Sequence, residues 1–403
     1  MDIMAGLFAA TGRQDPYPLY AATHELGPVV AADDGFVMVA GYEPANRVLR
    51  DPAFGVWDQQ QRRQSWGAEE QSRPSVRSME RSILHSNAPD HGRMRALISS
   101  VFTPRRVAAL EPAIEAAVGT LLDRLAAEGA AGATVDFMDR FAYQLPVAVI
   151  CDLLGIPESD RETFRRLATQ LAMVLDFVDR AETLDQADAA WLELEPYYSA
   201  LVAERRKRPE NDLTSALIAV CDADDARLDG VELLANLTLL LIAGFETTAN
   251  LFGNGVRLLF EHPVVADDLR LGTARYAGFA EEVLRYDSPV QLTSRIALTA
   301  GLSVGGVPTP EGTEVAVMIG AANRDPRRYE EPSHFDPRRT DINPLSFGAG
   351  AHYCVGSVLA RTEAALAFPR LLERFPHLAP AGVPTRNGRL VLRGFTHLPV
   401  TVT

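Results

Sequence analysis

The most informative stretch of the chain is Phe347-Gly348-Ala349-Gly350-Ala351-His352-Tyr353-Cys354-Val355-Gly356. Pro-rich coil precedes it, and a helical pattern follows from about Gly356 to Phe375, so Cys354 is predicted to lie at a helix N-terminus. Orphan N–H groups and the positive end of the helix dipole stabilise a thiolate at that position. The glycines permit tight turns and the close approach of another group. The stretch therefore predicts a reactive cysteine in a tightly turned loop.

Three other interpretations of this stretch compete. Cys354 could be a buried structural cysteine, which is the usual fate of a lone Cys. The glycines could form a phosphate loop, but G-x-G-x-x-G requires glycine at position 353, which is tyrosine, and no strand leads into the stretch. Cys354 could also bind zinc beside His352, but the sequence has no C-x-x-C and no second pair of ligands.

The stretch resembles the haem-binding signature of the cytochrome P450 superfamily, F-G-x-G-x-H-x-C-x-G, at every fixed position. The resemblance extends from about Tyr17 to the C-terminus. It implies that Cys354 is the sulfur ligand of the iron of haem b, and that Phe347 and Gly348 contact the haem. It also implies a mainly α fold with a minor antiparallel β part, in which the haem lies between a long central helix and the helix after the cysteine loop.

That central helix is predicted from Asp229 to about Phe260, and Asp229 and Glu232 have capping-box spacing. It contains Ala243-Gly244-Phe245-Glu246-Thr247-Thr248. Polar side chains in the middle of an apolar helix are costly if they are only structural, although a threonine can bond back to the carbonyl four residues earlier. The resemblance identifies the oxygen-activation motif. It implies that Gly244 lets the helix loosen over the iron and that Ala243 contacts the haem. It also implies two catalytic residues, Thr247, which hydrogen-bonds the reacting oxygen, and Glu246, which lies on the proton-delivery path.

Other motifs supply cations and a structural ion pair. The resemblance assigns His91, Arg95, Arg295 and His352 to the haem propionates, where charge-assisted hydrogen bonds would hold the cofactor. Each of them alone would be a solvated surface residue. Glu282 and Arg285 form the family's E-x-x-R, and an ordinary surface ion pair is the alternative. The resemblance implies that this pair is locked to a basic residue of the later coil, either His334, Arg338 or Arg339.

The substrate pocket is predicted from one-turn spacing on the long helix and from family contact regions. Plain core packing is the alternative for each of its members, and a mixed apolar and polar lining suits a medium or large natural product. The resemblance is nearest to bacterial hydroxylases that tailor polyketides or similar metabolites in antibiotic biosynthesis and other secondary metabolism. The predicted pocket residues are Asn236, Leu240, Ala243, Val290, Gln291, Phe395 and Thr396.

Composition bounds the organisation and the partners. The 403 residues, 47% of them hydrophobic, show no linker or repeat, so we expect a single domain over 1–403 with β-rich parts near 25–55, 290–320 and 385–403. The polar segment from Trp57 to Arg81 predicts a long loop. A net charge of −14 argues against nucleic acid or anionic membrane as a partner.

Three widely spaced cysteines do not form a disulfide framework, and Met1 to Pro18 has no signal-peptide pattern, so a cytoplasmic protein is expected. The most apolar run, Leu233 to Phe245, is shorter than the ~20 residues of a membrane span and contains Asn236, which predicts a buried helix.

The resemblance implies a haem-thiolate monooxygenase that hydroxylates or epoxidises an apolar substrate. The stretch after Cys354 is too short for a flavin reductase domain, so electrons from NAD(P)H are expected through a ferredoxin reductase and a ferredoxin. We expect a monomer. A ferredoxin could dock where Arg338, Arg339, Arg361 and Arg370 lie. A peroxygenase, an oxidative-coupling enzyme and a non-enzymatic haem sensor are the alternatives.

Overall fold

The computed structural model describes residues 3–32, 35–57, 69–176, 180–222 and 229–402. Helices dominate, as predicted, and the strands are short. The named helices are α1 Ile3–Phe8, α2 Ala10–Gln14, α3 Tyr17–Leu26, α4 Tyr42–Arg50, α5 Pro74–Glu80, α6 Asp90–Val101, α7 Pro104–Glu128, α8 Gln144–Leu154, α9 Arg161–Leu171, α10 Arg180–Lys207, α11 Leu213–Asp222, α12 Gly230–Glu261, α13 Pro263–Arg270, α14 Tyr276–Tyr286, α15 Ile319–Ala322 and α16 Ser357–Arg374.

The strands fall mainly in the three predicted regions. Thr134–Asp136 and Ala379–Pro380 are the exceptions, since no strand was expected at either place. The strands are β1 Val29–Ala31, β2 Val37–Val39, β3 Phe54–Gly55, β4 Thr134–Asp136, β5 Thr293–Ala297, β6 Leu302–Val304, β7 Val307–Thr309, β8 Glu314–Val317, β9 Ala379–Pro380, β10 Thr385–Arg386, β11 Phe395–His397 and β12 Pro399–Thr401.

The chain divides into two compact units. The first unit consists of residues 1–55, 115–142 and 247–403, and the second of residues 56–114 and 143–246. Helices α7 and α12 each run from the range of one unit into that of the other. The expectation of one domain over 1–403 stays a prediction.

The first unit contains a five-stranded sheet in the order β1-β2-β8-β5-β3. Most of its pairs are antiparallel, as predicted, but β2 and β8 are parallel, with Val37 opposite Val315. These two strands lie far apart in the chain, so no hairpin imposes an antiparallel pairing. Valines of both strands pack in a core that also includes Leu345 and Ala349. The sheet core therefore reaches the beginning of the cysteine loop.

The second unit is helical. Its helix α8 is buried along nearly all of its length and ends at Gly155, which has a left-handed conformation. A side chain at that glycine would collide with the carboxylate of Asp212, because a Cβ there would lie 2.2 Å from Oδ2. Phe164 of α9 packs edge-on against Tyr197 and Tyr198 of α10.

The loop predicted from Trp57 to Arg81 is wrong in its second half. Residues 58–68 lie outside the described part of the chain, but Pro74–Glu80 forms helix α5. Pro74 starts the helix with a φ angle that is already helical. Val76 and Met79 are buried, so tertiary packing stabilises a segment whose composition is that of a loop.

Helix α12 confirms the predicted long helix and its cap. The Asp229 N–H donates to Glu232 Oε2 at 3.1 Å, and the Glu232 N–H donates to Asp229 Oδ1 at 2.8 Å, so the capping box is reciprocal. By length and hydropathy alone this helix could cross a membrane, but 61% of its most apolar window is buried inside the protein. The core helix of a globular protein meets the same criterion, and Asn236, Glu246 and Asn250 are buried within α12.

Candidate active site

Cys354 lies in a loop built from two short 3₁₀ turns, Leu345–Phe347 and Gly350–His352. Its N–H donates to the Phe347 carbonyl at 2.9 Å, and the Tyr353 N–H donates to the Gly350 carbonyl at 3.1 Å. Helix α16 begins at Ser357, three residues after the cysteine. The predicted position just before a helix N-terminus is therefore confirmed.

Two glycines of the loop are required by its geometry. Gly348 has φ +69° and ψ −162°, a region that is essentially restricted to glycine. Gly350 has φ +66°, and a Cβ there would lie 2.3 Å from the Leu49 carbonyl oxygen. The backbone of the cysteine loop can therefore pack against the end of α4 only without a side chain at position 350.

The three cysteines differ in exposure. Cys354 is exposed, whereas Cys151 and Cys221 are buried. Burial raises the pKa of Cys151 to about 12 and that of Cys221 to about 11, so both are inert thiols. Across the described ranges, no three His, Cys, Asp or Glu side chains come together as a metal cluster. A single accessible sulfur would suit the iron of a haem, because the porphyrin would supply the further ligands, whereas a structural zinc site needs four protein side chains.

Arg295 is a buried cation in strand β5, with 6% of its surface exposed. Its guanidinium donates to the Ser294 carbonyl at 2.7 Å and to Thr293 Oγ1 at 3.4 Å, both neutral groups. Burial lowers its pKa to about 10, and no carboxylate of the described residues forms an ion pair with it. A buried charge is costly unless it is paired. This position therefore fits an anionic group such as a propionate.

The middle of α12 carries an accessible stripe. The residues of this stripe are half-buried or exposed at one-turn spacing, whereas Phe245 and Thr248 on other faces are buried. A helix that is apolar nearly all round is normally covered on every side. The members of this stripe are Leu240, Ala243, Gly244 and Thr247. They are residues for which the sequence analysis predicts contacts with haem, oxygen or substrate.

Gly244 and Glu246 have further structural constraints. A Cβ at Gly244 would lie 3.0 Å from Ile150 Cδ1, so this glycine also permits close packing of α12 on α8. Glu246 is 2% exposed. A buried carboxylate one residue before Thr247 is compatible with the predicted proton path, and both roles stay predictions.

The remaining predicted propionate residues lie on α6 and in the cysteine loop, and their contact with propionates stays a prediction. His91 and Arg95 occupy α6 four residues apart, so they share one helix face. His91 is buried and Arg95 is half-buried. His352 ends the second 3₁₀ turn of the cysteine loop, two residues before Cys354, and is half-buried.

Two predicted pocket residues have hydrogen bonds that hold the fold. Asn236 accepts the Ile83 N–H at 3.0 Å, and its amide donates to the Glu232 carbonyl at 2.7 Å. Gln291 donates to the Ser288 carbonyl at 2.7 Å and contacts the Tyr17 hydroxyl at 3.4 Å. These bonds explain both side chains as internal links, and their contact with substrate stays a prediction.

The other pocket residues divide by exposure. Phe395 is 1% exposed, and the Arg386 guanidinium lies 3.9 Å from its ring centroid, which indicates core packing. Thr396 beside it is exposed, with its hydroxyl 3.3 Å from the Thr385 carbonyl. Val290 is half-buried and forms an isolated bridge with Leu392.

The E-x-x-R pair is internal rather than a surface ion pair. Both side chains are fully buried, and Arg285 donates to Glu282 through Nε and Nη2 at 2.7 Å each. The third partner is Arg339, whose Nε lies 3.3 Å from Glu282 Oε1, while His334 contributes only its backbone carbonyl. Arg338 pairs with Asp268 instead. The Arg339 side chain is 14% exposed, which leaves little of it for the predicted docking face, and that face stays a prediction.

One buried ion cluster was missed by the sequence reasoning. Asp287 is fully buried and accepts hydrogen bonds from the Tyr17 hydroxyl at 2.8 Å and from three arginines. The arginines are Arg393 at 2.7 Å, Arg257 at 3.1 Å and Arg386 at 3.1 Å. The partners are spread from residue 17 to residue 393, so no local spacing could have revealed the cluster.

Comparisons with known proteins find relatives along nearly the whole chain. The family model described as Cytochrome P450 matches residues 36–273 and 277–394. The cytochrome P450 monooxygenase PikC of Streptomyces venezuelae is 37% identical, over 96% of this chain and 91% of its own length. The 6-deoxyerythronolide B hydroxylase of Saccharopolyspora erythraea is 36% identical, over 96% of each chain.

A solved structure matches the whole chain as well. It is that of P450BioI in complex with an acyl carrier protein ligated to hexadec-9Z-enoic acid. Its TM-score is 0.88 at 32% identity, over 98% of this chain and 100% of the other. The family model, the relatives and the fold agree with the cysteine loop, and the chain therefore belongs to the cytochrome P450 family and is a P450 monooxygenase.

Proposed function

We propose that the chain is a haem-thiolate hydroxylase in which Cys354 is the iron ligand. The observation that carries this proposal is the accessible thiol of Cys354 in a glycine-shaped loop before α16, while the other two thiols are buried. Haem bound to a thiolate supplies the activation of dioxygen and the insertion of one oxygen atom into the substrate.

The chain's own residues would hold the cofactor and move protons. In the first unit, Phe347 and Gly348 would contact the haem, and Arg295 and His352 would bind propionate oxygens. In the second unit, His91 and Arg95 would bind propionates, and Ala243 and Gly244 would contact the haem. The Thr247 hydroxyl would donate a hydrogen bond to the reacting oxygen, and the Glu246 carboxyl would resupply its proton.

The carbon monoxide difference spectrum of the reduced protein tests the cysteine assignment. The unmodified protein should show the red-shifted Soret band of thiolate-ligated haem. Cys354→Ser should lose that shift, whereas Cys221→Ser, a change at a buried thiol with a raised pKa, should keep it. A red-shifted band in Cys354→Ser would overturn the assignment.

The substrate class is an apolar natural product of medium or large size, with a polyketide as the first choice. The support is the names of the relatives, PikC and a 6-deoxyerythronolide B hydroxylase, together with the accessible stripe on α12. The reaction is hydroxylation or epoxidation. Titration with macrolactones, steroids and fatty acids, read as a low-to-high-spin shift, should give the tightest response with macrolactones. A response to fatty acids alone would contradict this class.

Electrons should come from NAD(P)H through a ferredoxin reductase and a ferredoxin in the cytoplasm, and the protein should act as a monomer. Of the candidate docking arginines, Arg338 is the most exposed, at 61% of its side chain. Arg338→Glu should slow reduction by an acidic ferredoxin, and the difference should shrink as salt rises. An unchanged rate at low salt would refute docking on this face.

A substrate attached to a carrier protein is a second possibility, because the matching P450BioI structure contains an acyl carrier protein. Comparing turnover of a free acid with that of the same acid on a carrier protein separates the two. Peroxide-driven turnover without ferredoxin would instead indicate a peroxygenase. Absence of turnover with any electron donor would indicate a haem sensor.

A further inference from the structure

Arg361 of α16 contacts the cysteine loop and α14 at the same time. Its Nε and Nη2 contact the two carboxylate oxygens of Glu281 at 2.5 and 3.2 Å. Its Nη1 donates to the Tyr353 hydroxyl at 3.3 Å, and its guanidinium carbon lies 4.4 Å from the ring centroid of Phe347. One planar cation therefore links two aromatic residues of the loop to a carboxylate outside it.

The two aromatic residues are those that hold the backbone of Cys354. Tyr353 precedes the cysteine directly, and the carbonyl of Phe347 accepts the Cys354 N–H at 2.9 Å. Their ring centroids lie 6.5 Å apart in a tilted arrangement. Tyr353 is 37% exposed, so packing alone does not immobilise its ring. The contacts of Arg361 restrain both ends of the loop segment 347–353, which leads directly into Cys354.

We propose that Arg361 is a positioning residue for Cys354, which fixes Phe347 and Tyr353 so that the thiolate keeps one orientation. The proposal rests on the proposed role of Cys354 as the haem ligand. It requires the planar fork of an arginine, since the same group ion-pairs with Glu281, stacks on Phe347 and donates to Tyr353. A lysine at this position would keep the charge but could not make all three contacts.

The chain offers a matched control on the same helix. Arg370 also belongs to α16, its side chain is 36% exposed against 39% for Arg361, and it pairs with Glu115 at 2.7 Å. Its side chain donates hydrogen bonds to Glu115 and to the Leu366 carbonyl, and neither residue belongs to the cysteine loop. Arg370→Gln therefore removes a comparable ion pair from α16 without removing the restraint on Cys354.

The test follows the carbon monoxide complex of the chemically reduced holoprotein, with no redox partner present. The rate at which the red-shifted band gives way to the unshifted band in mild urea reports loss of thiolate ligation. Arg361→Gln and Arg361→Lys should each raise this rate about two- to fivefold, the range expected for a partly exposed cation–π contact and ion pair. Arg370→Gln should leave it unchanged, and global thermal unfolding should change equally in the Gln variants at 361 and 370.

Three outcomes overturn the proposal. The first is equal band-conversion rates in Arg361→Gln and Arg370→Gln. The second is a band-conversion rate in Arg361→Lys equal to that of the unmodified protein, which would show that a positive charge alone is enough to position Cys354. The third is additivity of Glu281→Gln with Arg361→Gln, because residues that act as one unit should not add. A missing red-shifted band in the unmodified protein would instead refute the haem-thiolate function itself, so the two failures are distinguishable.

Discussion

Asp287→Asn should destabilise the protein strongly, because it removes the carboxylate to which three buried or half-buried arginines of one cluster are bonded. The exposed fractions are 0% for the Asp287 side chain, 6% for Arg393 and 10% for Arg386. Burial alone would raise the pKa of Asp287, but Arg393, Arg386 and Arg257 outweigh it and hold the pKa well below its ordinary value. Asparagine keeps the shape and removes the charge.

The expected loss follows from the cost of breaking a buried ion pair, which is about 3–5 kcal/mol. An unfolding entropy of ~2.1 cal/mol/K per residue gives about 0.85 kcal/mol/K for 403 residues. A loss of about 4 kcal/mol then lowers Tm by about 5 °C. Burial lowers the pKa of Arg386 to about 10 even with the Asp287 carboxylate beside it. The substitution removes that carboxylate and supplies no other negative charge for the buried Arg386 cation.

The assay is thermal unfolding followed by far-UV circular dichroism, with Asp341→Asn as the control. Asp341 also binds an arginine through both oxygens, Arg328 at 2.7 and 2.9 Å, but its side chain is 82% exposed. Solvent screens such an exposed ion pair, so the Tm of Asp341→Asn should stay close to that of the unmodified protein. Equal Tm values for the two variants would refute the argument that burial decides the effect.

The pH dependence gives a second check with a definite sign. The folded pKa of Asp287 lies below the unfolded one, so its stabilisation is complete above an ordinary Asp pKa of about 3.9 and is lost as the pH falls toward the folded pKa. The Tm difference between the unmodified protein and Asp287→Asn should therefore narrow on acidification below about pH 4. A difference that widens there would contradict the ion-pair interpretation.

Three further changes probe the catalytic motif, the propionate site and the second unit. Thr247→Ala should lower the product formed per NAD(P)H consumed by roughly 10²-fold and release peroxide instead, because a positioned proton donor is lost. Thr248→Ala changes a buried neighbour and should keep the product yield of the unmodified protein. Equal product yields per NAD(P)H in the two variants would contradict the assignment. Arg295→Met should raise the Tm of the apoprotein, since it removes a buried cation whose pKa burial lowers to about 10. In the haem-loaded protein the same change should speed the transfer of haem to apomyoglobin. An unchanged rate of haem transfer would argue against a propionate contact. Glu232→Gln should cost about 3 kcal/mol in thermal unfolding, because the carboxylate accepts 2.8 and 3.0 Å bonds from Arg93 and one of 3.0 Å from Arg81. Glu162→Gln, at an exposed pair, is the control, and a similar loss there would show that burial of Glu232 is not the cause.

The cysteine loop and α12 show which structural features a short stretch of sequence can predict. The capping box at Asp229 and Glu232 marked the start of α12 to within one residue, because a cap uses groups only three positions apart. The glycines of the loop predicted tight turning, and positive φ at Gly348 and Gly350 confirms it. The choice between a buried structural cysteine and an accessible one needed the exposure of Cys354 in the folded chain.

Other predictions failed or stayed open where partners come from distant segments. Helix α5 was missed because its stability comes from burial of Val76 and Met79 and not from its polar composition. Helical spacing predicted that Asn236 lines the substrate pocket. In the folded chain its side chain bonds to the Ile83 N–H and to the Glu232 carbonyl, so it links α12 to the segment around residue 83. Spacing along one helix predicts which residues share a face, and it does not predict what covers that face.

Local motifs predict the family, the position of the thiol before a helix and the long helix with polar residues in its middle, because motifs and caps depend on residues within a few positions of each other. Three features are visible only in the folded chain. Arg339 completes the E-x-x-R pair, and Arg295 is buried without a carboxylate partner among the described residues. Arg361 joins Phe347, Tyr353 and Glu281. Burial and long-range ion pairing arise from segments brought together by folding, so they are absent from any local pattern.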